Sequence, residues 1–133
     1  MQVAELMKTA LASIRVDASI SDAIMALVDA YVLVLPALDQ HGGFVGVLST
    51  SDVLESLAEK GRGGSAEPWL EETQVRDLMT VRPQIVAPED EVRKAAQEML
   101  YLGIHRVFVV SDEQLVGVLS QSDVVQAFAN GAL

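Results

Sequence analysis

Apolar residues recur along the chain with two spacings, one typical of helices and one typical of strands. Residues 20–28 place apolar side chains three or four positions apart behind a polar start at Ser19, which predicts an amphipathic helix. The same spacing returns in residues 92–100, behind acidic residues that suit a helix N-terminus. A pair of short β-rich runs follows each helix, and each pair predicts a hairpin: 32–38 with 44–48, and 106–110 with 115–119. A second helix follows each hairpin, so each half of the chain is predicted as strand, helix, two strands and helix.

The second strand of each hairpin carries an internal repeat. Residues 45–53, VGVLSTSDV, return as residues 116–124, VGVLSQSDV, and only Thr50 and Gln121 differ. A repeat of this kind indicates one supersecondary unit that has been duplicated and packed against its copy. The repeat also retains polar residues that a purely structural duplication would not need to keep.

The spacing of the repeat changes once along the chain. Met7 and Met79 lie 72 positions apart, whereas Asp52 and Asp123 lie 71 apart. The second copy is therefore one residue shorter. We place the deletion in its hairpin turn, which corresponds to residues 40–43 of the first copy, because a deletion confined to a turn leaves the flanking strands in register. The two copies are therefore expected to superpose.

The repeat divides the chain into residues 1–59, a linker at 60–74, and residues 75–133. Three glycines and a proline lie between positions 61 and 68, and this composition is typical of a linker. Trp69 is the exception. We expect it to pin the linker to the body of the protein, with ligand binding as the alternative.

Composition excludes several classes of function. The chain has 133 residues, of which 50% are hydrophobic, so a core can form without metal or disulfides. It has no Cys, which excludes thiol chemistry and suits a reducing cytoplasm, where we expect the protein to act. Its two His residues show no HExxH spacing, so we expect no metal site. The longest apolar run, 30–38, is too short for a membrane span, and nothing at the N-terminus indicates a signal peptide.

The net charge of −10 disfavours nucleic acid as a partner, because such a field repels polyanions. A phosphate ligand would need local positive charge. Most of the basic residues lie in the linker and the second half of the chain, at positions 62, 76, 82, 93, 94 and 106.

Candidate chemistry lies where the repeated strand gives way to a helix. Ser49, Ser51 and Asp52 place hydroxyls, a carboxylate and backbone N–H groups at a predicted helix N-terminus, which favours phosphate binding. A carboxylate accepts hydrogen bonds and suits the hydroxyl pair of a ribose. The alternative is that Ser49 and Asp52 only cap the helix, worth about 1 kcal/mol each.

These features together resemble a known family. The order of elements, the repeated hydrophobic-Gly-Val-Leu-Ser-x-Ser-Asp, the DLMT of residues 77–80 and the GIHRV of residues 103–107 resemble a tandem cystathionine-β-synthase (CBS) domain pair, or Bateman module. The resemblance implies an α+β fold of two β-α-β-β-α units packed sheet to sheet with pseudo-two-fold symmetry and two clefts. It also implies regulation by adenine nucleotides and assembly into a disc-shaped homodimer.

The resemblance further implies that each cleft is built crosswise from both repeats. The first cleft would combine Val47, Ser49, Ser51 and Asp52 with Thr80, Arg82, Gln84, Ile104, His105 and Arg106. The second, weaker cleft would combine Val118, Ser120, Ser122 and Asp123 with Thr9, Ala12, Val32 and Leu33.

The two clefts are expected to differ in charge. Arg106 can hold a phosphate bidentately and His105 can add a donor, or Arg106 can instead pair with one of the many acids. The matching residues of the second cleft are Leu33 and Val34. That cleft is expected either to stay empty or to take an uncharged nucleoside.

The leading hypothesis is a non-catalytic sensor that binds AMP, ADP or ATP and reports it to a regulated protein that the sequence does not identify. No cofactor is required, and S-adenosylmethionine or NAD could replace the nucleotide because both contain adenosine. A structural dimerisation module with empty clefts is the alternative. An enzyme is disfavoured, since no nucleophile and base pair, metal triad or phosphate-binding loop is recognisable.

Overall fold

The structure is a computed structural model that describes residues 1–60, 67–81 and 83–133. Its helices are α1 (Val3–Leu6), α2 (Ile20–Ala30), α3 (Thr50–Lys60), α4 (Glu67–Glu72), α5 (Val75–Leu78), α6 (Val92–Leu102) and α7 (Gln121–Ala129). Its strands are β1 (Ile14–Arg15), β2 (Val34–Leu38), β3 (Phe44–Ser49), β4 (Thr80–Val81), β5 (Ile85–Val86), β6 (Arg106–Ser111) and β7 (Gln114–Ser120).

The chain forms two compact units, and each unit contains the opening segment of the other sequence repeat. The first-repeat unit is residues 12–83, and the second-repeat unit is residues 1–11 with 84–133. In the second-repeat unit the Val3 N–H donates to the Asp90 carbonyl at 2.8 Å. In the first-repeat unit the Val75 N–H donates to the Ala18 carbonyl at 2.9 Å. These backbone bonds fix α1 and α5 at equivalent places in the two units.

Each unit is built around one mixed sheet. The first-repeat unit has the strand order β1-β2-β3-β4, in which β1 and β2 are parallel and the other pairs antiparallel. The second-repeat unit has the order β5-β6-β7, with β5 and β6 parallel. There, a single antiparallel bridge between Lys8 and Val118 occupies the place that β4 takes in the first-repeat unit. The predicted mixed α+β class is confirmed.

The hairpins confirm that the missing residue lies in the turn. Leu38 pairs with Phe44, which leaves residues 39–43 in the first turn, whereas Val110 pairs with Leu115 in the second. The second turn is one residue shorter. Its strands join at Asp112 and Glu113, both with positive φ, which matches the right-handed strand twist.

The first hairpin begins later than the sequence predicts. Strand β2 starts at Val34 because Tyr31 ends helix α2 in a left-handed conformation, with φ of 54°. The Val32 N–H then donates to the Leu27 carbonyl at 3.2 Å. Val32 and Leu33 thus close the helix end before the strand begins.

Each unit has its own hydrophobic core, and part of each helical stripe predicted from the sequence lines it. The prediction was wrong for Val28 and Leu100, at the ends of the two stripes, which are 61% and 75% exposed. Helix α2 buries Ile20, Ala23 and Leu27, whereas α6 buries Val92, Ala95 and Met99. Met7 and Met79 are partly buried against the two cores. Both therefore act as core-filling side chains.

Part of the predicted linker is ordered as a helix. Trp69 and Leu70 lie on α4 and pack against the core of the first-repeat unit, which confirms that Trp69 pins this segment. The Thr73 carbonyl accepts the Ile20 N–H at 2.9 Å. Residues 61–66 lie outside the described residues. The glycine content of the linker did not predict α4, because a six-residue helix depends on packing rather than on its own propensity.

The repeated glycine marks a close approach between chain segments. A Cβ at Gly46 would lie 2.8 Å from the Thr80 carbonyl oxygen. A Cβ at Gly117 would lie 2.5 Å from Met7 Sδ and 3.1 Å from the Lys8 carbonyl oxygen. In both units glycine therefore gives the opening segment of the other repeat room to lie against the hairpin.

None of the helices in the described ranges is long and apolar enough to cross a membrane.

Candidate functional site

The end of β3 and the start of α3 place a serine and an aspartate in reciprocal contact. The Ser49 backbone N–H donates to Asp52 Oδ2 at 2.9 Å, and the Asp52 backbone N–H donates to Ser49 Oγ at 3.1 Å. This arrangement is a capping box. Ser49 and Asp52 therefore do cap helix α3, but the cap uses only one oxygen of the Asp52 carboxylate. Asp52 Oδ1 makes no hydrogen bond or ion pair within the described part of the chain.

Ser51 adds two further polar groups at the same helix end. Neither its hydroxyl nor its backbone N–H has a partner in residues 1–60, 67–81 or 83–133, and the residue is exposed. The neighbouring Thr50 N–H is already bonded to the Leu33 carbonyl at 2.9 Å. One donor from the backbone, one hydroxyl and one carboxylate oxygen thus remain available at the start of α3.

Strand β4 brings Thr80 to this place. Thr80 pairs with Val47 in the antiparallel ladder between β3 and β4, two residues before Ser49. Thr80 is exposed. We refer to Ser49, Ser51, Asp52 and Thr80 as the Asp52 group. Arg82, which the sequence also assigns to this site, lies outside the described residues.

The second-repeat unit reproduces the capping box. The Ser120 N–H donates to Asp123 Oδ2 at 2.9 Å, and the Asp123 N–H donates to Ser120 Oγ at 3.1 Å. Here, however, Lys8 Nζ lies 3.1 Å from Asp123 Oδ1. We refer to Lys8, Ser120, Ser122 and Asp123 as the Asp123 group. Both oxygens of its carboxylate therefore have a partner within the protein.

The environment of Asp123 favours its charged form. The side chain is only 7% exposed, and this burial raises the pKa of Asp123. Hydrogen bonds from the Ser120 backbone N–H and the Lys8 ammonium, with the Lys8 charge, outweigh burial and hold the pKa of Asp123 below its ordinary value.

The Asp123 ion pair predicts a pH-dependent contribution to stability. Because the folded pKa is depressed, the contribution is present above the unfolded pKa of about 3.9 and is lost as pH falls through the lower folded value. We expect wild type to be more stable than Asp123→Asn at pH 6, and the gap to shrink towards pH 3. Urea unfolding of both proteins across this range measures it. A gap that stays constant would contradict the ion pair.

The remaining residues assigned to the first cleft all belong to the second-repeat unit. Gln84 donates to Glu98 Oε2 at 3.2 Å, and the Ile104 carbonyl accepts from Gln121 Nε2 at 3.1 Å. His105 is exposed, and its carbonyl accepts the Gln121 backbone N–H. Arg106 begins β6 opposite Ser120 and makes no ion pair with any residue that the structure describes.

The residues assigned to the second cleft are divided in the same way. Val118, Ser120, Ser122, Asp123 and Thr9 belong to the second-repeat unit, whereas Ala12, Val32 and Leu33 belong to the first-repeat unit. Within the second-repeat unit, Lys8 pairs with Val118, and Thr9 is the next residue along the chain.

Sequence reasoning missed Lys8 and Gln121. Lys8 follows Met7 as Thr80 follows Met79, so the 72-residue spacing of the repeat contained the signal. Gln121 is the one residue of the repeated segment that differs, and its side chain holds the Ile104 carbonyl. No group of His, Cys, Asp or Glu side chains among the described residues is arranged to hold a metal ion.

Comparison with known sequences identifies the family. The CBS domain model matches residues 3–59 and 75–130. The chain therefore belongs to the CBS domain family, and it contains two CBS domains.

Two relatives from Arabidopsis thaliana are longer than this chain. The mitochondrial CBS domain-containing protein CBSX3 is 30% identical over 84% of this chain and 53% of its own length. The chloroplastic protein CBSX2 is 31% identical over 82% of this chain and 55% of its own length. The chain thus spans little more than half the length of either relative.

The fold also matches a solved structure. The crystal structure of CBSX2 in complex with AMP has a TM-score of 0.83 and 29% sequence identity, and it covers 99% of this chain and 98% of that chain.

Proposed function

We propose that this CBS pair is a regulatory module that binds an adenine nucleotide, with the Asp52 group as the principal contact. The observation that carries the proposal is Asp52 Oδ1, which has no partner among the described residues and belongs to the residue that follows Ser51 at the start of α3. CBSX2, which is 29% identical over almost the whole chain, has been solved with AMP.

The chemistry of the Asp52 group suits a nucleotide in two ways. Asp52 Oδ1 can accept hydrogen bonds from ribose hydroxyls, because an ionised carboxylate is an acceptor only. The Ser51 hydroxyl and N–H, at the N-terminus of an 11-residue helix, suit phosphate oxygens. AMP, ADP and ATP share these features, and S-adenosylmethionine and NAD share the ribose.

A phosphate also requires positive charge in a chain whose net charge is −10. The sequence assigns that role to His105 and Arg106, and the assignment remains a prediction. The absence of an ion pair at Arg106 among the described residues supports it, because the guanidinium is not already engaged by one of the chain's own acids.

We further propose that the module is regulatory rather than catalytic. The Asp52 group has no second carboxylate or histidine that could activate Ser49 or Ser51, and the Asp52 carboxylate already accepts the capping N–H. The effect on a partner would arise from differential binding, because a ligand shifts a conformational equilibrium only as far as its affinities for the two states differ. A cytoplasmic location stays a prediction, with which the lack of cysteine is compatible.

Exposed apolar side chains on two helices support a homodimer. On α6, Leu100 and Tyr101 are 75% and 90% exposed, and on α7, Val125 and Phe128 are 66% and 73% exposed. Large apolar side chains on neighbouring helices favour burial against a second copy of the chain. The same surface supports the alternative function, a structural dimerisation module that binds no ligand.

Thermal unfolding with added ligand tests the proposal. We expect AMP, ADP or ATP at about 100 times the dissociation constant to add about 2.7 kcal/mol of stability. For a chain of this size that is a rise of several degrees in Tm. S-adenosylmethionine, NAD and adenosine serve as comparisons, and inosine monophosphate controls for a nonspecific phosphate effect. No rise with any adenosyl ligand, in nucleotide-free protein that light scattering shows to be dimeric, would favour the dimerisation module.

A further inference from the structure

The Asp52 and Asp123 groups have the same capping geometry but differ at one carboxylate oxygen. In both units the bond from the serine N–H to Oδ2 is 2.9 Å and the bond from the aspartate N–H to Oγ is 3.1 Å. Asp123 Oδ1 lies 3.1 Å from Lys8 Nζ. Asp52 Oδ1 has no such partner in the described part of the chain.

This difference originates in a single position of the repeat. Lys8 pairs with Val118, two residues before Ser120, and Thr80 pairs with Val47, two residues before Ser49. The opening segments therefore place Lys8 and Thr80 at equivalent positions. A threonine side chain carries no charge, so Thr80 cannot form the ion pair that Lys8 forms.

The Lys8 ammonium and a ribose hydroxyl would compete for the same oxygen. Both hydrogen bonds would be charge-assisted, because the carboxylate is ionised, but the ammonium adds an attraction between opposite charges that a neutral hydroxyl lacks. Asp123 is also 7% exposed, so a neutral hydroxyl would replace a charged partner at a poorly solvated carboxylate. Lys8 itself is 65% exposed and can remain in contact with water while its ammonium contacts Asp123.

We propose that Lys8 determines which of the two aspartates binds ligand: its ammonium occupies the ligand-accepting oxygen of Asp123 and leaves Asp52, of these two, as the ribose acceptor. This inference rests on the proposed nucleotide site at the Asp52 group. It differs from the earlier expectation for the second cleft, which depended on Leu33 and Val34 rather than on a lysine that engages the aspartate.

The test uses the chain's own repeat as the source of the substitution. Lys8→Thr gives the Asp123 group the residue that the Asp52 group has, and Lys8→Met keeps most of the side-chain length while it removes the charge. Both changes are made in wild type and in Asp52→Asn. The Asn variant keeps an amide oxygen for the Ser49 N–H and replaces the acceptor at Oδ1 by a donor. Isothermal titration with AMP and with adenosine measures the affinity and the number of ligands per chain.

We expect wild type to bind one ligand per chain and Asp52→Asn to lose this binding. Lys8→Thr and Lys8→Met should each restore adenosine binding to Asp52→Asn, about 10-fold or more tighter than Asp52→Asn alone. In the wild-type background they should raise the stoichiometry for adenosine to two per chain. Thermal unfolding of each variant without ligand confirms that it is folded.

The outcomes separate this inference from the proposed function. If wild type binds and Asp52→Asn does not, but neither Lys8 variant restores binding, the role of Lys8 is wrong and the Asp52 site stands. If Asp52→Asn binds AMP and Lys8→Thr abolishes that binding, Lys8 is a phosphate contact and the inference is overturned. If wild type binds nothing but the Lys8 variants bind, the Asp52 site is wrong and the role of Lys8 stands. Absence of binding in every protein overturns both.

Discussion

Asp52→Ala is expected to weaken AMP binding by about 10- to 150-fold, which corresponds to about 1.5–3 kcal/mol for a hydrogen bond to a charged group. The carboxylate has one oxygen committed to the Ser49 N–H and one that is unpartnered among the described residues. Alanine removes both, so the ligand loses its acceptor while the helix loses part of its cap. Isothermal titration with AMP measures the effect on affinity.

Two matched variants separate the ligand-binding role of Asp52 from its capping role. Asp52→Asn keeps an acceptor for the Ser49 N–H, so it should retain most of the stability and still lose affinity. Asp123→Ala removes the same capping contacts in the other unit, but its carboxylate is already paired with Lys8. Asp123→Ala should therefore reduce Tm with little effect on AMP affinity. Equal losses of affinity from Asp52→Ala and Asp123→Ala would contradict the assignment of the site to Asp52.

The repeat made much of the fold predictable. The change from 72 to 71 residues located the shorter hairpin turn, and the helical spacing of apolar residues located α2 and α6 with most of their buried residues, although Val28 and Leu100 are exposed. Both signals are periodic, and periodicity survives without knowledge of tertiary contacts. The short helices α1, α4 and α5 have four to six residues and no such period. Their stability comes from packing and backbone bonds to distant segments.

The segment exchange between units could not be predicted from hydrophobic pattern alone. Val3 is fully buried in the core that contains Val92 and Leu119, although the repeat assigns it to the first half of the chain. A stripe of apolar residues predicts that one face of a helix is buried, but it does not predict which other segment of the chain packs against that face. The same exchange brings Thr80 to Val47 and Lys8 to Val118.

The candidate site shows the same limit more sharply. The segments 45–53 and 116–124 are almost identical, and local sequence predicts the same capping box in both, which the structure contains. The difference in function that we propose comes from Lys8, which is 115 residues from Asp123 in sequence. Only the pairing of the opening segment with β7 shows that these two side chains meet.

The glycine of the repeat links this pairing to the stability of each unit. Gly46 pairs with Val81 in the β3–β4 ladder, and the Thr80 carbonyl oxygen would lie 2.8 Å from a Cβ at that position. A backbone oxygen can move away only if the strand moves with it. At Gly117 the nearest atom would be Met7 Sδ, which can rotate away, although the Lys8 carbonyl at 3.1 Å would still be crowded.

Gly46→Ala is therefore expected to destabilise the protein by about 1–3 kcal/mol, the usual cost of overpacking, and to lower Tm by several degrees. Gly117→Ala should cost less, because a flexible side chain relieves the closest contact. Gly131→Ala is the comparison for backbone strain without crowding. A methyl group there meets nothing within 4 Å, but the positive φ alone costs about 1–2 kcal/mol. Gly46→Ala should also weaken AMP binding, because displacement of β4 carries Thr80 away from Val47, and Gly117→Ala should not. Tm and the hydrogen-exchange rate of the Val81 amide are compared between Gly46→Ala and wild type. If neither changes, β4 does not lie this close to β3.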